Sequence, residues 1–528
     1  MSVTTAPEAT PARPLRSGTT RPPWPLVVLG AVIACGALVP IGYVVWYAVD
    51  LGPSATWELL ARPRVAELLR NTVGLLLGVV TISTVLGTAT AWLVESTDLP
   101  GKLGWHALLV APLAVPAFVN SYAWISTTSS VQSYLGAVTV VSLSYYPLVY
   151  LPVVATLRGL DPALVESAQA LGLSRWQAFR RVTLPLLRSA VAGGALLVGL
   201  HTLAEFGALQ MLRFPTFTTA IYDQYRSAFN SAPGTVLAGV LVSSCLVLLA
   251  LEVVVRGRGP VARVGAGSAR DAVPVDLGRS TVPVLAGLTG LVVLALGVPG
   301  YALVHWLVVG SSRAFPVDQV AHAAVSTMSL AALAAAVTVV AAVPVCWLVV
   351  RHPSPVSLVV ERATYSAHAL PGIVVALALV AVSIRVVPAL YQTMPVLVLA
   401  YATLFLPRAI VSVRASLEQA PPVLSDVARS LGLHPLQAMA RVTLPLLRPG
   451  LGAGAALVFL AVSTELTATL LLAPTGTTTL ATEFWSASSS ARYAAAAPYA
   501  LLLVAVSVPA TIFLGMQARR GLVRGGEA

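Results

Sequence analysis

Long apolar runs separated by short polar connectors dominate the chain. A bilayer core of about 30 Å takes roughly 20 apolar residues of helix. Twelve stretches reach that length, near residues 24–48, 71–94, 104–128, 132–157, 186–209, 234–255, 281–309, 326–350, 362–384, 392–413, 449–472 and 496–517. Proline or polar residues interrupt the third, fourth, ninth and tenth. The pattern predicts an all-α polytopic membrane protein of about twelve spans.

Composition sharpens this. Of the 528 residues 57% are apolar and 10% charged, with a mean hydropathy of +0.85. Soluble proteins carry about a quarter charged residues, so an ordinary cytosolic enzyme, a coiled coil and a disordered scaffold are all excluded. The net charge of +12 comes from 32 basic against 20 acidic residues, and Lys102 is the only lysine. The arginines fall singly or in small groups between apolar runs, as topology signals do, with no aromatic-interleaved basic stretch of the kind nucleic acid requires. Placing the N-terminus in the cytoplasm puts 24 of the 32 basic residues on that side and eight outside. Both termini are then cytoplasmic, which requires an even number of spans. Residues 1–22 read as a disordered tail. Val32 to Cys35 form a passable lipoprotein cleavage box, but the apolar run continues to Ala48, long enough to span, so an uncleaved first helix is expected. Cys35, Cys245 and Cys346 form no motif and read as small core residues.

The chain is internally duplicated. RVTLPLLR at 181–188 recurs at 441–448, an offset of 260. Leu171, Gly172 and Leu173 recur as Leu431, Gly432 and Leu433, Pro147 as Pro407, and Glu205 as Glu465. Nearer the start of each half the offset is 255, with Trp92, Leu93 and Val94 recurring as Trp347, Leu348 and Val349. The expected layout is a first half at 23–256, a cytoplasmic linker at 257–280, a second half at 281–520 and a tail at 521–528. Six spans per half keep both copies the same way up, related by a pseudo-twofold axis along the membrane normal. Whatever one half presents to the cytoplasm is therefore presented twice, which calls for a twofold cytoplasmic partner.

The repeated cytoplasmic loops, 158–185 and 415–445, carry the most information. Asp161 and Pro162 read as an N-cap and first-turn proline opening a short helix that Gly172 can end. Ser174 then caps a second helix over 175–182 that meets the membrane at Leu184 and Pro185. Trp176 and Phe179 give this knob an apolar face in a cytoplasmic loop, and such a face wants a partner.

These loops resemble those of the transmembrane subunits of ATP-binding-cassette importers. That family's motif runs Glu-Ala-Ala, a Gly three residues on and, nine residues later, an aliphatic residue, any residue, Leu and Pro. Glu166, Ala168, Gly172, Val182, Leu184 and Pro185 match it in register, as do Asp426, Ala428, Gly432, Val442, Leu444 and Pro445. Ser167, Val427 and Asp426 are departures, the last keeping the charge. The resemblance implies the type I importer permease fold and docking of each knob, Trp176 included, in a cleft of a cytoplasmic ATPase dimer. This chain is not itself the ATPase: a phosphate-binding loop needs Gly-Lys-Ser/Thr, and Lys102 is followed by Leu103. No cofactor is expected. Trp176, Phe179 and Arg180 stand against Leu436, Met439 and Ala440, so a homodimeric ATPase would meet unequal knobs.

A fused twelve-span permease with one docking loop per half is similar to the ferric-iron permease group, whose close relatives transport thiamine. The stretches 203–212, 214–225 and 464–485 are similar to that group's sequence after each docking loop. The resemblance implies import of ferric iron, with thiamine or another small solute as the alternative, brought by an extracytoplasmic binding protein across a bacterial plasma membrane. Glu205 and Glu465 are the acids placed well inside spans, and an intramembrane ionisable group is a functional candidate by default. Each lies 17 residues beyond the end of Pro-Leu-Leu-Arg, about 25 Å along a helix and so near the outer end. With His201 one turn earlier, they are candidates for the translocation path or outer gate, or for a hydrogen-bonded pair that seals helices together. A secondary transporter also uses parallel six-span halves, but leaves the twin docking motifs unexplained. The remaining histidines form no ligand set.

Overall fold

The computed structural model describes residues 22–227, 232–256, 274–310, 316–367 and 370–520. The expected tails 1–22 and 521–528, the linker 257–280 as far as residue 273, and His368 lie outside the described residues, Pro22 excepted.

Among the described residues nine helices are long and apolar enough to cross a membrane. They are Trp24–Leu51, Pro63–Ser96, Tyr134–Gly159, Ala232–Leu251, Gly278–Val309, Val317–Arg351, Met394–Gln419, Met439–Ser463 and Tyr493–Met516. Two bent helix pairs pass the same test of length and composition together: Lys102–Ala114 with Ala117–Thr127, meeting at 90°, and Arg175–Leu186 with Arg188–Ala204, at 63°. The remaining expected span, the ninth, is divided between Pro355–Ser366 and the 15-residue Gly372–Val386. The order is the one the apolar runs predict.

The limits differ for physical reasons. The helices of the second and eighth expected spans, Pro63–Ser96 and Val317–Arg351, have 34 and 35 residues and are about 50 Å long, well beyond the hydrocarbon core. Hydropathy marks only their immersed part, because the first turns carry Arg64, Glu67 and Asp318. The third and ninth spans break at Pro116 and Pro371, 255 residues apart, and each proline is the N-cap of the helix that follows. A proline lacks the N–H a continuous helix needs and disfavours helical backbone before it.

Close packing uses small residues, as membrane helices require. A Cβ on Gly194 would lie 2.7 Å from the Val149 Cα, and one on Gly454 3.5 Å from the Ala409 Cα. These are the same fifth-span-on-fourth-span contact in each half. The halves are also exchanged at their first spans. Trp24–Leu51 packs on second-half helices, with Gly30 against Leu348 and Val360, and Arg385 lies 5.4 and 5.5 Å from the rings of Trp46 and Tyr47. Reciprocally, Leu288 and Ala295 of the seventh span join the first-half core of Leu75, Val140 and Tyr150. The last helix reaches the first half too: Tyr122 donates to the Tyr493 carbonyl at 2.6 Å, and His106 bridges the Tyr150 hydroxyl (2.9 Å) and the Gly515 carbonyl (3.2 Å). Two halves that read as successive in sequence thus interlock in space.

One expectation is corrected. Cys245 and Cys346 are buried, but Cys35 is exposed on the outer surface of the first helix, where an apolar thiol can face lipid. The end of the linker is pinned beneath the second span: Val275 N–H donates to the Ser96 carbonyl (2.8 Å), and Asp98 N–H to the Val275 carbonyl (3.1 Å).

Candidate functional site

The two repeated loops, 158–185 and 415–445, fold alike. In the first, Asp161 Oδ1 accepts from Ala163 N–H at 3.0 Å and opens the helix Pro162–Ala170. In the second, Pro421 replaces that cap and the helix is Pro422–Ser430. Both helices end in the same backbone motif. Gly172 N–H donates to the Gln169 carbonyl (2.9 Å) and Leu173 N–H to the Ala168 carbonyl (3.1 Å), while Gly432 and Leu433 do the same to Arg429 (3.0 Å) and Ala428 (3.1 Å). This closure needs a left-handed residue, and both glycines have φ of +90° with open space where a Cβ would stand. Backbone conformation, not crowding, demands glycine here.

Ser174 then forms a reciprocal cap with Gln177, at 2.9 and 3.3 Å, opening Arg175–Ala178. The helix expected over 175–182 is interrupted: Phe179–Thr183 and, in the second loop, Met439–Thr443 are wider π-helical turns. Trp176 is 67% exposed and stacks on Phe179, whose ring also meets Trp92. Leu171 and Leu431 are 86% and 80% exposed. Glu166, Asp426, Leu184 and Leu444 are exposed as well, Pro185 is exposed and Pro445 half-buried. Ala168 and Ala428 are buried and pack the short helix onto the π-helical turn, so they shape the knob from within. Behind the first knob, Arg158 holds Glu95 in a bidentate pair at 2.6 and 2.8 Å.

At the far end of the span that follows each knob, the helix breaks at the glutamate. Glu205 ends Arg188–Ala204, and a short helix restarts as Gly207–Met211. Glu465 follows Leu444–Ser463, and Thr467–Leu472 restarts. Each carboxylate caps its restarted helix. Glu205 Oε1 accepts from Ala208 N–H at 2.9 Å, and Glu465 accepts from Ala468 N–H (3.0 Å), Thr469 N–H (3.1 Å) and Thr469 Oγ1 (3.1 Å). Tyr145 donates its hydroxyl to Glu205 Oε2, and its ring lies 5.5 Å from that of His201, so Tyr145 touches both first-half candidates. A Cβ on Gly207 would approach Leu466 to 2.9 Å, so the two breaks meet where the halves join.

Beyond the breaks, on the face opposite the knobs, a cavity of about 550 Å³ opens between the halves. Gln210, Arg213, Tyr222, Asp223 and Arg226 line it from the first half, Trp485, Ser488, Ser489, Ala491 and Tyr493 from the second. Among the described residues no three His, Cys, Asp or Glu side chains are placed to hold a metal ion. Sequence reading did not single out Tyr145, Arg408 or the cavity, although Gln210, Tyr222, Asp223 and Trp485 lie in the stretches similar to the ferric-iron permease group. Tyr145 and the cavity residues carry no periodic or repeated signal. Arg408 sits mid-span with its guanidinium 5.1 Å from the Phe405 ring, a basic residue where only acids drew notice.

Comparison with known proteins agrees with this architecture. Residues 101–256 and 334–521 match the family described as binding-protein-dependent transport system inner membrane component. The chain is 39% identical to the Fe(3+)-transport system permease protein FbpB 2 of Haemophilus influenzae over 491 residues, 92% of this chain and 97% of that protein. Shorter relatives match less of it. The sulfate transport system permease protein CysW of Escherichia coli is 30% identical over 217 residues, 38% of this chain and 73% of its own length. The molybdate/tungstate transport system permease protein WtpB of Thermococcus kodakarensis is 24% identical over 225 residues, 41% and 89%. With the family's domain present twice, each copy holding one knob and one glutamate-capped helix break, the chain belongs to the inner membrane components of binding-protein-dependent transport systems.

Proposed function

We propose that this chain, with its two copies of the domain, is the permease subunit of an ATP-driven ferric-iron importer. In that reading the knobs face the cytoplasm and dock in a separate ATPase dimer, while a loaded extracytoplasmic binding protein seats on the opposite face. Closure of the ATPases moves the knobs, and each fifth span carries that motion to its break at Glu205 or Glu465. These carboxylates serve the outer gate by fixing where the helix stops, with Tyr145 and His201 bracing the first. The observation that carries the reading is the pair of glycine-closed knobs with exposed apolar faces. Each leads through the span that follows it to a break where the two halves join. Iron as cargo rests on the 39% identity across nearly the whole chain.

The test is reconstitution of the permease with its ATPase and binding protein in liposomes, followed by uptake of iron, thiamine and sulfate. Accumulation of iron that needs both ATP and the binding protein is expected. Accumulation of thiamine or sulfate instead would overturn the substrate, and uptake by the permease alone under a proton gradient would overturn the mechanism.

A further inference from the structure

The cavity opposite the knobs has a chemistry that iron alone does not explain. About 550 Å³ is room for well over a dozen waters at roughly 30 Å³ each, and lies within the usual range for a small-molecule site. Its charged lining is Arg213 and Arg226 with a single carboxylate, Asp223, which already accepts from Gln210 Nε2 at 3.2 Å. A bare cation would be repelled by such a wall, and the described residues offer no metal-ligand cluster elsewhere.

Arg213 is held there against its own backbone preference. It closes the short helix Gly207–Met211 with the same motif as the knobs: Arg213 N–H donates to the Gln210 carbonyl (3.2 Å) and Phe214 N–H to the Leu209 carbonyl (3.0 Å). The knobs place glycine at this left-handed position, whereas here φ is +52° on an arginine. The same closure recurs across the cavity at Ala491, φ +56°, so the left-handed turn belongs to the cavity rim in both halves and the first half alone places a charged side chain on it. The basic pair is also peculiar to one half: Leu470 and Ala473 stand 260 residues beyond Gln210 and Arg213, and Ser489 stands 263 beyond Arg226, the offset that relates Phe217–Ser227 to Leu480–Ser489. A feature serving only the fold would be expected in both halves, as the knobs and breaks are. Arg226, lying 5.8 Å from the Tyr222 ring, completes a basic wall facing serines 488 and 489.

We infer that this cavity binds a small oxyanion, and that the cargo crosses its mouth as an anion or an anion-ligated metal rather than as a bare cation. Planar guanidinium groups suit carboxylate and phosphate oxygens, and serine and tyrosine hydroxyls supply neutral donors. The metal-bearing part of the inference rests on the iron reading; the anion site does not.

The experiment uses the assembled permease and ATPase in phosphatidylcholine nanodiscs, with citrate, inorganic phosphate and radiolabelled ferric citrate as probes. Saturable citrate binding is expected, weakened at least tenfold by R213G and by R226Q. Because R213G relieves a left-handed arginine, it should melt no lower than wild type, so lost binding cannot be blamed on misfolding. Ferric citrate uptake should fall in parallel. Absence of saturable anion binding, or unchanged affinity in both variants, overturns the inference and leaves the iron reading intact if iron is still carried. Citrate binding that is lost when phosphatidylglycerol is added would assign the cavity to lipid headgroups and overturn it too. Anion binding sensitive to both substitutions, in a permease that carries no iron, would sustain the site and refute the iron reading.

Discussion

Replacing Gly172 by alanine, and separately Gly432, isolates a single physical effect. The new Cβ meets no atom within 4 Å in either loop, so packing is undisturbed. The backbone, at φ +90°, must hold a side chain in left-handed space, at a cost of about 1–2 kcal/mol. That disfavours the closed turn by roughly five- to thirtyfold relative to unravelled alternatives. The two hydrogen bonds that join each helix end to Gly172 and Leu173, or to Gly432 and Leu433, loosen with it. The membrane bundle lies beyond the knob, so the thermal midpoint should stay near wild type. ATP hydrolysis stimulated by the loaded binding protein should fall several-fold while the complex still co-purifies. Gly172→Asn, which tolerates left-handed backbone, should recover part of the loss. Gly476→Ala is the control, with φ +86° and equally open space at a loop outside the knobs. The reasoning is refuted if both knob variants stay fully coupled, or if Gly476→Ala uncouples as much as they do.

Trp176→Ala removes a side chain that is 67% exposed, so stability should change by no more than about 0.5 kcal/mol while co-purification of the ATPase drops markedly. Gly194→Ala forces a Cβ to 2.7 Å from backbone, where overpacking costs about 1–3 kcal/mol, whereas the equivalent Gly454→Ala meets an ordinary 3.5 Å contact; thermal melts should rank them in that order. Tyr145→Phe deletes the hydroxyl donor to the buried Glu205, and an acceptor left unpaired there costs about 1–3 kcal/mol, so the melting midpoint and iron uptake should fall together. Arg158→Met leaves Glu95 without its bidentate partner and should destabilise the first knob's base, read as faster proteolysis of the 158–185 loop with the second loop unaffected.

Legibility in the sequence followed the range of the interaction. Span order was readable because hydrocarbon imposes a length on every crossing helix. The knobs were readable because caps and left-handed closures are local: Asp161, Ser174, Gly172 and Gly432 act within a few residues of themselves. Their inner detail was less so. Ala168 reads as part of a docking motif but is buried beneath it, and the π-helical turns at Phe179 and Met439 leave no mark in the pattern. Glu205 and Glu465 stood out as acids in apolar runs, yet their work as caps depends on a break that periodicity does not reveal. Cys35 looked like core because an apolar run looks the same whether it faces protein or lipid.

The sequence by itself determined the class of the protein, its two-copy plan and its knobs, since each follows from composition, repetition or contacts between near neighbours. Only the tertiary structure decided how the halves interlock, with the first span seated on the second half and the seventh on the first. It alone brought Tyr145 to Glu205, joined the two helix breaks through Gly207 and Leu466, and gathered Arg213 and Arg226 against Trp485 and Ser488. Those groupings unite residues up to several hundred positions apart, and what selects them is the fit of helix surfaces, which no local pattern encodes.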